Sequence, residues 1–176
     1  LAEVQGAGYA DIRIVRTSQE RISVRSGVVD TLSFDESLGF GVRVLVNGCW
    51  GFASSHDITS KEVDRVTALA VNIAKASATL SKGAVNLGPP VTSRGTYTTP
   101  IEEDPFTIST DHKLALLMDA DQRMASVKGI RSRQGNLIFI KEEKTFANSE
   151  GAHVEQTVYE AGGGISANAV GNNEIQ

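Results

Sequence analysis

Apolar and polar residues alternate along the first fifty positions. In YADIRIVRTSQERISVRSG, Ile12 and Ile14, then Ile22 and Val24, fall two residues apart with charged or small polar residues between them. That is the period of a strand with one buried face. The polar Thr17-Ser18-Gln19 interrupts the run and predicts two strands joined there. VVDTLSFDE reads as a third strand turning at Asp35-Glu36-Ser37, and FGVRVLVNG as a fourth. Asn47-Gly48 is the strongest hairpin signal, because both residue types tolerate positive φ. It predicts that CWGFASS folds back as a fifth strand. Yet Gly39, Gly41, Gly48 and Gly51 sit in or beside this region, where a glycine weakens a strand interior. The expected reason is a bend or bulge, or the close approach of another backbone.

The period then changes. Between Thr59 and Leu80, Val63, Val66, Leu69, Ala70, Ile73 and Leu80 recur at three- and four-residue steps, the pattern of an amphipathic helix. Thr59-Ser60-Lys61-Glu62 fits a capping box, and Gly83 is the expected stop. All four prolines lie between Lys82 and Pro105. They exclude a helix there and leave room for one short strand around Thr96-Tyr97-Thr98. A second helix is predicted in ISTDHKLALLMDADQRMASVKG, capped by Ser109 or Thr110, lined by Leu114, Leu117, Met118 and Met124, and ended by Gly129. Period two returns from Asn136 onward, with a turn at Asn148-Ser149-Glu150-Gly151. RSGVVDTLSFDESLGFGVRVLV and SEGAHVEQTVYEAGGGISANAV echo one another. The fold expected is α+β: mixed or antiparallel twisted sheets packed with two amphipathic helices, read as two related ββ…α units. Residues 1–176 are taken as one domain, with halves 1–81 and 106–176 joined by a proline-rich arm, 82–105.

Composition narrows the function. A hydrophobic share of 40% in 176 residues suffices for a core without staples, and the single Cys49 rules out an internal disulfide. The net charge is −4, and the tightest basic group, Lys128, Arg131 and Arg133, has no interleaved aromatic. Direct nucleic-acid binding is therefore not expected. No apolar run approaches the roughly 20 residues of a membrane span. The chain opens on Leu1 and stops at Gln176 without a helix end or charged tail, so a piece of a longer protein is expected.

Self-contained chemistry is hard to find. His56, His112 and His153 show no metal-ligand spacing and read as surface residues. Cys49 reads as a buried structural thiol. The acidic runs Asp35-Glu36, Glu102-Glu103-Asp104 and Glu142-Glu143 read as solvated charge, since neighbouring carboxylates on a strand point to opposite faces. Gly162-Gly163-Gly164 lacks the lysine and hydroxyl of a phosphate loop. No catalytic residue, metal ligand or cofactor site is assigned within the chain.

YADIRIVR, VRSGVVDTLSFDESLGFGVRVLVNGCWGFASS, DPFTISTDHKLALLMDAD and FANSEGAHVEQTVYEAGGGISA together resemble the amino-terminal domain of the TldD/PmbA family. Its members are labelled modulators of DNA gyrase and include zinc-dependent peptidases. The Arg43 strand and Trp50-Gly51-Phe52 are closer to the TldD side than to the PmbA side. The resemblance implies a cytoplasmic parent whose zinc is bound by a carboxy-terminal domain, and a non-catalytic role for these residues as chamber wall and subunit contact. The implied partners are a homodimer or a TldD–PmbA heterodimer, with unfolded peptide as the parent's substrate. Gly39, Gly41, Arg43, Trp50 and Gly51 become candidate peptide-contact or strand-hinge positions. The rival readings are a protein-binding regulator of the gyrase-modulator type and a plain dimerisation module.

Overall fold

The computed structural model describes residues 6–80, 85–90, 92–171 and 174–175. The elements are β1 (Tyr9–Arg25), β2 (Val28–Val46), β3 (Cys49–Ser55), α1 (Ser60–Ala78), β4 (Arg94–Thr98), α2 (Thr110–Ala125), β5 (Ile130–Asn148), β6 (His153–Gly171) and β7 (Glu174–Ile175). Hydrogen-bonded neighbours run in the order β3-β2-β1-β5-β6-β4, and β7 pairs with β6. The sheet is mixed. β3 is antiparallel to β2, whereas β4 runs parallel to β6, Arg94 opposite His153 through Thr98 opposite Thr157. This is the expected α+β class.

Two breaks expected in the strands do not occur. β1 passes through Thr17-Ser18-Gln19, and β2 passes through Asp35-Glu36-Ser37. Polar clusters predict turns only when the backbone lacks better partners. Here both strands have sheet neighbours, and the polar residues satisfy one another, as where Ser18 donates to Glu36 Oε1 at 3.1 Å. The real turns lie elsewhere. Ser26-Gly27 (φ 47° and 81°) and Asn47-Gly48 (φ 50° and 76°) both hold positive φ at two successive residues, the type I′ geometry that matches strand twist.

The chain divides into two compact units. Unit 1 comprises Leu1–Thr17, Ser37–Thr98 and Glu142–Thr157; unit 2 comprises Ser18–Glu36, Thr99–Lys141 and Val158–Gln176.

In unit 1, α1 packs on β3. Thr59 caps the helix by accepting from the Glu62 backbone N–H. The Glu62 side chain does not return to the cap; it grips Arg65 through two contacts at 2.7 and 2.8 Å. The buried stripe of α1 is Val66, Thr67, Ala70, Val71 and Ala74, against Phe40, Val42, Val44, Val46 and Ala53. Leu69, Ile73 and Leu80, expected in that stripe, are exposed. At the centre of the contact Gly51 lies under Ala70 and Ala74. A Cβ there would lie 1.9 Å from the Ala70 carbonyl oxygen and 2.6 Å from the Ala74 nitrogen. At Ala70 and Ala74 the helix lies so near β3 that no side chain fits opposite them, which accounts for this glycine. The expected stop at Gly83 lies outside the described residues.

In unit 2, Ser109 caps α2, and the helix ends at Ala125 rather than at Gly129. The Ser126 N–H closes the last turn on the Gln122 carbonyl, and Gly129 (φ 98°) instead redirects the chain into β5. The helix buries Lys113, Leu117 and Asp121, one residue per four, each charge partnered. Lys113 meets Glu20, and Asp121 accepts from Arg133 at 3.1 and 3.3 Å. Between them Leu117 packs on Ile22 and Val24, with Leu114, Met118 and Leu137 at the margin.

Candidate functional site

The same alternation that sends Val42, Val44 and Val46 toward α1 sends Gly39, Gly41 and Arg43 to the other face of β2. Register extends this to β3, where Leu45 pairs with Trp50 and Arg43 with Phe52. Four of the candidate positions, Gly39, Gly41, Arg43 and Trp50, thus share the face turned away from α1. Gly51, opposite Val44, lies on the helix face.

A charged and aromatic cluster occupies the shared face. Arg43 sets Nε and one terminal nitrogen on Asp11 Oδ2, at 2.9 and 2.7 Å, and its guanidinium carbon lies 4.4 Å from the Trp50 ring centroid. Tyr9 meets the same indole edge-on, 5.8 Å between centroids. The Asp11 side chain is only 1% exposed. Burial weakens the charge on Arg43, but the hydrogen bond and the field of Asp11 outweigh it and hold the guanidinium above its ordinary pKa. Burial, reinforced by the Asp11 charge, also pushes the Tyr9 phenol up.

Beside this cluster a cavity of about 560 Å³ opens on the sheet, lined by residues of β1 and β3, by Ser37 to Gly41 of β2 and by His56. Phe52 forms one wall, 59% exposed. A Cβ on Gly41 would lie 2.8 Å from that ring, so the glycine makes room for it. Arg13 stands at the rim with its guanidinium 5.2 Å from the Phe146 centroid. Tyr9, Asp11, Arg13 and Phe52 were not among the candidate residues. Period two in YADIR already places Tyr9, Asp11 and Arg13 on one face, but nothing local shows that Arg43 is their neighbour.

The three histidines do not converge. His56 lines the cavity, His112 donates its backbone N–H to the Ser109 cap, and His153 lies 3.9 Å from Glu155. Cys49 is a buried free thiol. Among the described residues no three histidine, cysteine or carboxylate side chains are grouped to hold a metal ion. The donor set of the described residues does not fit a zinc site. No described helix is long and apolar enough to cross a membrane.

Comparison with known proteins follows the two halves of the sequence. Residues 10–74 match the PmbA/TldA metallopeptidase domain 1, and residues 103–175 match the PmbA/TldA metallopeptidase central domain. The chain belongs to the PmbA/TldD family. A metalloprotease of Methanothermobacter thermautotrophicus is 29% identical over 147 residues, 84% of this chain and 31% of that protein. A metalloprotease of Methanocaldococcus jannaschii is 26% identical over 147 residues, 84% of this chain and 32% of that protein. The chain therefore spans about a third of the length of the curated relatives it matches. Among solved structures, TldE from Thermococcus kodakarensis superposes with a TM-score of 0.74 at 16% identity, covering 99% of this chain and 39% of that one. A protein described as a modulator of DNA gyrase from Bacteroides thetaiotaomicron gives 0.74 at 15% identity, covering 97% and 39%. At these identities the structural likeness speaks for the fold alone.

Proposed function

We propose that these residues form a non-catalytic part of a zinc-dependent TldD/PmbA-type peptidase that acts on unfolded peptides, serving as chamber wall and subunit contact. The observation that carries this reading is the open cavity on the Arg43 face, where glycine backbone and the Phe52 ring lie exposed. Its bare glycine backbone and exposed Phe52 suit an extended, sequence-variable chain better than a small rigid ligand. In the parent, zinc bound outside this chain would polarise the scissile carbonyl and activate water. For subunit contact, unit 2 offers Val28, Leu32 and Phe34 on β2, exposed by 67, 55 and 59%. The partner is a second copy or a TldD–PmbA type pair, in the cytoplasm. A gyrase-binding regulator is the second reading, favoured by the description of one structural neighbour; the net charge of −4 argues against direct DNA contact.

The test is elemental analysis and casein digestion with the purified 176-residue chain, alone and mixed with the remainder of its parent. The chain alone is expected to hold no stoichiometric zinc and to leave unfolded casein intact, with cleavage restored on mixing. One tightly held zinc per chain, or casein cleavage by the chain alone, overturns the proposal.

A further inference from the structure

We infer that the cavity on the Arg43 face of unit 1 seats an extended peptide through an acidic side chain, with Arg13 as its charged contact. That the occupant is a peptide rests on the chamber-wall reading; that it is acidic follows from the charges around the cavity.

Two arginines and one aspartate stand together here, and they do not cancel equally. Arg43 spends both contacting nitrogens on Asp11 Oδ2, so the one carboxylate in the lining is already neutralised and almost wholly buried. Arg13 faces the ring of Phe146 and, among the described residues, has no carboxylate within ion-pair distance. Among the lining residues the charge left without an ion-pair partner is therefore that of Arg13, a cation in a chain of net charge −4. A guanidinium at the rim, steadied on an aromatic face, is the usual partner of a carboxylate because its planar donors match the two oxygens.

The rest of the lining says what carries the carboxylate. Phe52 is 59% exposed and offers apolar contact beside the charge. Gly39 and Gly41 leave β2 without side chains on this face. A small free acid would leave that apolar wall wet, whereas an apolar residue next to an acidic one in an extended chain covers it. The volume, about 560 Å³, lies in the range of pockets that bind such groups.

The experiment uses the whole chain, labelled with ¹⁵N, and three acetylated and amidated hexapeptides with a Phe-Glu, Phe-Gln or Phe-Lys pair in a Gly/Ser background. The Phe-Glu peptide is expected to shift the amides of Gly39, Gly41 and Phe52. Its affinity should fall by about fivefold or more in Arg13→Gln and remain unchanged in Arg16→Gln, an exposed arginine outside the lining. Phe52→Ala should weaken the Phe-Glu and Phe-Gln peptides alike. Equal binding of the Phe-Glu and Phe-Gln peptides at these amides, or indifference to Arg13→Gln, overturns the acidic preference and leaves the chamber-wall reading standing. If no peptide shifts these amides, both ideas lose their support. Preference for the Phe-Lys peptide reverses the inferred charge and also overturns it.

Discussion

Lys113 sets its ammonium on the Glu20 carboxylate with neither side chain more than 10% exposed, and the Phe139 ring centroid lies 4.6 Å from the same nitrogen. The lysine sits in the first turn of α2, where a cation opposes the helix dipole, so its position depends on the partner. Lys113→Met strands a buried carboxylate and should cost about 3–5 kcal/mol, whereas Glu20→Leu with Lys113→Met should recover most of that loss. Urea unfolding midpoints decide it. A double variant no more stable than Lys113→Met would show that stranded charge is not the cause.

Gly51 should be the least tolerant glycine in unit 1. A methyl group there meets the Ala70 and Ala74 backbone, which cannot swing aside as a side chain can. Gly51→Ala is expected to reach or exceed the upper end of the roughly 1–3 kcal/mol range for overpacking. At Gly95, in β4, a Cβ meets nothing within 4 Å, and Gly95→Ala should be neutral or slightly stabilising. Thermal melts of the two variants provide the comparison.

Alkaline titration should single out Tyr9. Its folded pKa stands above the ordinary 10.0, chiefly through burial and then through the Asp11 charge. The stability contributed by the neutral phenol is fully present below pH 10 and is lost as pH rises through the higher folded value. Ultraviolet difference absorbance should show a late-ionising component among the three tyrosines that disappears in Tyr9→Phe.

Acid should weaken the start of α1. Hydrogen bonding to Arg65, and then to Ser55, lowers Glu62 from 4.5 to about 2. The depressed value means that its contribution is present above pH 4.5 and is lost as pH falls toward 2. The melting-temperature advantage of the native chain over Glu62→Gln should be modest, because the pair is solvent-facing, and should shrink across that window. An advantage unchanged at pH 2 would count against it.

Local signals read this fold well and tertiary ones poorly. Asn47-Gly48, the Thr59 and Ser109 caps, the short strand near Tyr97 and the Asn148–Gly151 turn all depend on neighbours a few residues away, and each stands where expected. The strands running through Ser18 and Glu36 were hidden because those two residues, 18 apart in sequence, satisfy one another. In α1 the expected Val66 and Ala70 are buried but Leu69 and Ile73 are not, and the close approach of Gly51 to Ala70 and Ala74 involves another element that the helical period does not show. In α2, the burial of Lys113 and Asp121 has no local signal, because it depends on Glu20 and Arg133 from other elements. The candidate site shows the same division. Gly39, Gly41, Arg43 and Trp50 share a face by period and register, but Asp11 and Arg13 join them only through the sheet.

The indole stacked on Arg43 has a practical corollary. Trp50 is the sole tryptophan of the chain and belongs to unit 1. Its fluorescence is a built-in lamp for one compartment and is blind to the other. Unfolding traced by that emission and by circular dichroism would coincide only if both compartments melt together, so the native molecule reports its own cooperativity without a label.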